Sequence, residues 1–139
     1  MDREQLKTRL RSDEGWAAFP YKDHLGFDTI GYGFLIDRKK GGGLPKVVAE
    51  FWLDYLIQER TKALTLAWPP FTKQPEEIQS SLLEMSYQMG VAGVLAFKKM
   101  LAALERGDQA EAERQALDST WATQTPGRAK RIAAVIGGK

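Results

Sequence analysis

The spacing of apolar positions changes several times along this chain, and each change predicts a different element. Between about Asp2 and Glu14 a charged stretch carries Leu6 and Leu10 one turn apart, which predicts a helix that Gly15 stops. From Phe19 to Phe34 the pattern shortens to FPYKD, then HLG, then FDTIGYG. These are aromatic and β-prone pieces around a turn, predicting a small hairpin or a three-stranded ribbon. The segment DRKKGGGLP, Asp37 to Pro45, reads as a charged glycine-rich connector with Pro45 in the first turn of the next helix. Its three glycines are not a phosphate loop, since the preceding strand and the Lys-Ser/Thr pair are missing.

Helical spacing then dominates. A long helix is predicted from about 45 to 68, with Val48, Trp52 and Tyr55 on one side and Leu53, Leu56, Ile57 and Leu64 on another. Pro69 and Pro70 end it. Pro75 opens a further helix through Ile78, Leu82, Met85 and Met89 to a stop at Gly90, and its methionines read as core. Another helix spans about Val94 to Arg106, stopped by Gly107. Asp108 and Glu111 then have capping-box spacing. Thr125-Pro126 supplies an N-cap and a first-turn proline for a terminal helix to about Ile136. The expected class is α+β and predominantly helical, with the β pieces near the N-terminus.

Composition narrows the function classes. A chain of 139 residues with 43% hydrophobic residues is sized for one core-forming domain or two small lobes. There is no cysteine, so disulfides and thiolate chemistry are excluded. The net charge of +2 does not mark a nucleic-acid binder. No acid follows Asp118, however, while Arg128, Lys130, Arg131 and Lys139 do, giving a basic patch suited to an anionic polymer or simply a solvated helix face. The charged N-terminus has no signal-peptide core, and no apolar run is long enough for a membrane span. The expected location is therefore the cytoplasm of the producing cell.

Candidate chemistry gathers in EGWAAFPYKDHLGFDTIGYG, Glu14 to Gly33. Glu14 falls at a predicted helix C-terminus, where the carbonyl dipoles favour a protonated carboxyl; partial burial would act in the same sense. Asp23 follows on a strand or turn open to water, and Thr29 lies across the next turn. A proton donor, an ionised carboxylate and a water-orienting hydroxyl are the parts needed to hydrolyse a glycosidic bond. The same three residues also read as two surface acids and a strand threonine. Arg128 is a cation in the first turn of the terminal helix, where it opposes the dipole at a cost of roughly 0.3–1 kcal/mol. A carboxylate partner such as Glu14 would account for it, as would solvent.

These residues resemble the phage-type lysozymes typified by the T-even phages, glycoside hydrolase family 24. The catalytic spacing of that family stands without a gap as Glu14, Asp23 and Thr29. Two further blocks, YQMGVAG from Tyr87 and WATQTPGRAKR from Trp121 to Arg131, resemble its central and C-terminal segments. The resemblance implies a two-lobed, lysozyme-like fold. It has a β lobe over about 15–45, a linking helix over about 45–68 and a helical lobe over about 69–139 that takes in the N-terminal helix 2–14. It implies cleavage of the β-1,4 bond between N-acetylmuramic acid and N-acetylglucosamine in peptidoglycan, with inversion. Glu14 would be the general acid, Asp23 and Thr29 would position water, and Arg128 would pair with the acid. Leu35 and Tyr87 would line the saccharide cleft. No metal or cofactor is expected. Peptidoglycan is the expected partner, reached through a holin, with no nucleic acid and a monomeric enzyme.

Departures from the family pattern carry expectations of their own. Phe34 replaces a histidine, which removes a buried ion pair. Met100 and Gln115 stand at cleft positions where relatives carry Ser and Asn, and of the two only Gln115 could donate to a sugar or peptide. A catalytically silent wall-binding module of the same fold is the alternative.

Overall fold

A computed structural model describes residues 1–139 and contains seven α-helices and three strands. Helix α1 is Arg3–Glu14. Its N-cap Asp2 accepts the Gln5 N–H at 3.0 Å, and it ends at Gly15, whose φ of 72° no longer follows the helix. The strands are β1 (Ala17–Lys22), β2 (Asp28–Gly31) and β3 (Phe34–Leu35), antiparallel in the order β1-β2-β3. Of the two shapes open to the ribbon, the chain takes the three-stranded one. Pro20 sits in β1, an edge strand, where a missing N–H breaks no ladder. The pairing is irregular between Ala17 and Tyr21, then regular at Tyr21↔Thr29 and Lys22↔Asp28.

Helix α2, Lys46–Ala67, follows the connector and gives way to a 3-10 turn at Pro69–Lys73. Then come α3 (Glu76–Leu95), α4 (Lys98–Glu105), α5 (Gln109–Leu117), α6 (Thr120–Gln124) and α7 (Pro126–Ile136). The chain divides into two units, Met1–Trp52 and Leu53–Lys139, and α2 runs across that boundary. Helix α1 falls in the first unit. No helix is long and apolar enough to cross a membrane.

Three expectations change in the second unit. Gly90 does leave helical geometry (φ 77°, ψ 165°), but the helix resumes after it, so the glycine makes a kink and not an end. The next helix consequently starts at Lys98, not near Val94. Thr125 does not cap α7 through its hydroxyl, which donates to the Trp121 carbonyl at 3.2 Å and accepts from Gln88 Nε2 at 3.2 Å. Gln88 Oε1 in turn accepts the Trp121 indole N–H at 2.9 Å. One amide thereby ties the motif containing Tyr87 to the block that begins at Trp121.

The apolar core lies in the second unit: Leu64, Phe71, Ile78, Leu82, Met85, Val94, Met100 and Trp121 with the inner face of α7. Where α5 packs on α7 both helices bury alanines four residues apart, Ala112 and Ala116 on one, Ala129 and Ala133 on the other. Small side chains at that spacing let the two backbones approach closely. In the first unit only Thr29 and Gly31 are buried. Replacing Ala133 by Leu should therefore overpack α7 and destabilise the fold by about 1–3 kcal/mol, read from chemical denaturation of the whole chain. An unchanged midpoint would mean that the interface has slack.

Candidate active site

The site is built on the β unit, and its centre is a pair of hydrogen bonds exchanged between Asp23 and Phe27. The Phe27 N–H donates to Asp23 Oδ1 at 2.8 Å, the Asp23 N–H donates to the Phe27 carbonyl at 2.9 Å, and the Leu25 N–H adds a second bond to Oδ1 at 2.9 Å. Gly26, with φ of 85°, lets the chain turn inside this ring and donates its N–H to the Asp23 carbonyl. Both carboxylate bonds fall on Oδ1, leaving Oδ2 without a protein partner. The Phe27 N–H is the main cause that holds the Asp23 carboxyl below its ordinary value of 3.8; partial desolvation opposes it, and the Leu25 N–H and neighbouring His24 act with it. Asp23 therefore enters neutral solution as an anion with a free oxygen.

Thr29 is positioned through the same residue. It is buried on the central strand, paired with Tyr21 on one side and Leu35 on the other, and its hydroxyl donates to the Phe27 carbonyl at 3.0 Å. With its proton directed at that carbonyl, the oxygen keeps lone pairs for a water O–H. Glu14 arrives from the end of α1 and is solvent-exposed, so the partial burial expected for it is not present. Its carboxylate lies against Gly33 in the β2–β3 turn. A Cβ at Gly33 would fall 2.9 Å from the carboxyl carbon and collide with Oε2, and the φ of 74° there is itself a glycine conformation.

Glu14, Asp23, Thr29 and Leu35 line one pocket of about 420 Å³, together with Tyr21, His24, Phe27, Gly33 and Lys40. The sequence singled out the first four; it gave no sign of Tyr21, His24 or Lys40. Lys40 comes from the segment read as a connector, which is better ordered than that reading implies. Asp37 caps a 3-10 turn over Arg38–Lys40, and Gly42 passes so close to the Leu35 carbonyl oxygen that a Cβ would sit 2.6 Å from it. Tyr87 and Arg128 belong to the second unit, where they line a different pocket of about 360 Å³ with Leu53, Ile57 and Leu83. Arg128 sits in the first turn of α7, as expected, and the Arg60 guanidinium covers the Tyr87 ring at 4.8 Å.

One cleft assignment fails. Met100 is fully buried in the core of the second unit and has no surface to offer a saccharide. The Gln115 amide donates one N–H to Glu111 Oε1 at 2.8 Å within α5, which leaves its second N–H available. Glu111 itself is pulled down to about 2, first by the Arg114 side chain and then by Gln115. Phe34, in place of the family histidine, is largely exposed and meets Tyr32 edge-on at 6.3 Å between ring centroids. No group of three or more acidic or imidazole side chains gathers anywhere as a metal site.

An exposed acid, a fixed carboxylate anion and a buried hydroxyl on one pocket are the equipment of a glycoside hydrolase. The phage lysozyme family model matches residues 11–134. The chain is 30% identical to the "Probable T4-type lysozyme 1" of Dictyostelium discoideum over 94% of its own length and 92% of that protein. It is 28% identical to the second such protein of that organism, again over 94% and 92%. It is also 32% identical to the pre-baseplate central spike protein Gp5 of Enterobacteria phage T4, over 94% of this chain but 27% of the spike protein. The chain belongs to the phage lysozyme family, and is a lysozyme.

The close approach of Gly33 to Glu14 makes a specific prediction. Gly33→Ala should displace the Glu14 carboxylate and strain the turn, lowering activity at least tenfold while costing about 1–3 kcal/mol of stability. Parallel activity and denaturation assays test this, and wild-type activity in the variant would show that Glu14 needs no seat there.

Proposed function

We propose that this lysozyme hydrolyses the β-1,4 bond between N-acetylmuramic acid and N-acetylglucosamine in peptidoglycan, and that it does so with inversion. The observation that carries this reading is the shared anchorage of Asp23 and Thr29 on the Phe27 backbone, with Glu14 lining the same pocket. In this mechanism Glu14 gives its proton to the glycosidic oxygen as the bond to the anomeric carbon breaks. Water held between Asp23 Oδ2 and the Thr29 hydroxyl attacks the opposite face of that carbon, and its proton passes to Asp23. Leu35 contributes apolar surface beside the sugar. Two residues of the second unit carry over on resemblance: Arg128 as support for the acid and Tyr87 as an aromatic platform for a saccharide ring.

As an endolysin the protein would accumulate in the host cytoplasm and reach the wall after a holin opens the membrane. Its similarity to a phage spike protein supports a second reading, in which the same catalytic unit acts at the phage tail.

The test is clearing of permeabilised Gram-negative cells. Glu14→Gln should fold and lose about 10²–10⁴ of the rate, since the amide keeps the shape but has no acidic proton to give. Clearing by the variant at wild-type rate would move the acid elsewhere, and failure of both proteins would leave a wall-binding module. Asp23→Asn should preserve the turn, because an amide oxygen can still accept from Leu25 and Phe27, yet lose a comparable factor.

The pH dependence follows from Asp23. Its folded value is depressed, so the anion persists below 3.8 and is lost only as pH falls through the lower folded value. The contribution of Asp23 to stability is complete above 3.8 and disappears over the same descent. The acid limb of kcat/KM assigned to Asp23 should accordingly lie below 3.8, and a limb near neutrality that vanishes in Asp23→Asn would contradict the assignment.

A further inference from the structure

Lys40 is held at the pocket by two independent devices. Its backbone N–H closes the 3-10 turn on the Asp37 carbonyl at 3.2 Å, and Asp37 Oδ1 accepts the Lys39 N–H at 2.8 Å. At the other end its ammonium lies 4.6 Å from the centre of the Phe27 ring. The ring belongs to the residue whose backbone holds Asp23 and Thr29, so the cation is seated on the same support as the water-binding groups. Lys22, the lysine of β1, is committed to Asp28 at 2.6 Å, whereas no carboxylate pairs with Lys40.

An aromatic face fixes a cation without neutralising it, and ammonium hydrogens remain for a ligand. The glycan backbone of the substrate carries no charge, and its anionic groups are on the peptide attached to the muramic acid residue. Asp23 would repel such a carboxylate, so a substrate entering here needs a compensating cation on the same wall. We propose that Lys40 is the subsite for a carboxylate of the stem peptide carried by the muramic acid bound beside Asp23, and so sets a preference for stems with free carboxylates. The inference rests on the peptidoglycan reading above.

The test compares wild type, Lys40→Met and Lys40→Arg on glycan strands whose stem carboxylates are either free or chemically amidated. Methionine keeps an apolar stem over Phe27 and removes only the charge. On free stems Lys40→Met should lower kcat/KM about fivefold, the scale of one solvent-accessible ion pair, and Lys40→Arg should retain most of the rate. Amidation should cost wild type about the same factor, and the two changes together should cost no more than either alone. Losses that multiply, or full activity of Lys40→Met on free stems, would overturn the subsite. A displaced acid limb in Lys40→Met on both substrates would also overturn it, making Lys40 a positioning residue for Asp23. If wild type cuts neither substrate, the peptidoglycan reading falls. The same cycle is then read as calorimetric binding of a disaccharide-peptide to Glu14→Gln, where a fivefold, non-additive change in Kd supports the subsite and equal affinities refute it.

Discussion

The reciprocal bonds between Asp23 and Phe27, one from backbone to carboxylate and one from backbone to backbone, are the constraint on which the site depends. Through the Phe27 N–H they fix and ionise the carboxylate, through its carbonyl they orient Thr29, and through its ring they seat Lys40. Each such bond contributes a modest net stability, about 0.5–1.5 kcal/mol, but they share one residue and reinforce one geometry. The first unit buries almost nothing apolar, so side-chain packing does not position its reactive groups. Polar bonds within the seven residues from Asp23 to Thr29 hold the carboxylate and the hydroxyl instead.

The second unit is organised by the opposite means. Its helices bury a continuous apolar cluster, and α5 and α7 approach through alanines. The polar device there is Gln88, whose amide satisfies the Trp121 indole and the Thr125 hydroxyl together. That indole belongs to a nearly buried ring, and a buried donor without a partner costs about 1–3 kcal/mol. Tyr87 and Arg128 flank these residues in sequence, so the packing core and the second pocket are connected through short, rigid segments.

Much of this was legible in the sequence for a physical reason. The glycine that stops α1, the period of α2 and α3 and the proline at the start of α7 are local signals, and local signals survive in one dimension. Glu14, Asp23, Thr29 and Leu35 were also readable, since they lie within 22 consecutive residues that fold on themselves. What escaped depended on chain return. Lys40 reaches the pocket only because Gly42 packs on Leu35, and Gly33 matters only because α1 ends beside it. Helix α6 is five residues long, below any periodic signature, and it diverted the hydroxyl of Thr125 from capping. Met100 was misplaced because alignment to a cleft position says nothing of which way an α4 side chain faces, and here it joins the core.

The gapless spacing of Glu14, Asp23 and Thr29 then has a structural cause. Gly15 ends α1 in a conformation few other residues adopt, and β1 must run on to Lys22 before the Asp23–Phe27 ring can close. Beyond the ring, the pairs Lys22↔Asp28 and Tyr21↔Thr29 set the register of β2. Side chains alternate faces along a strand, so one residue added or removed between Asp23 and Thr29 would turn the threonine to the other face of the sheet. The inserted residue would also separate Phe27 from one of its two dependants. The interval of five residues is the length at which one residue, Phe27, holds the carboxylate through its N–H and the hydroxyl through its carbonyl.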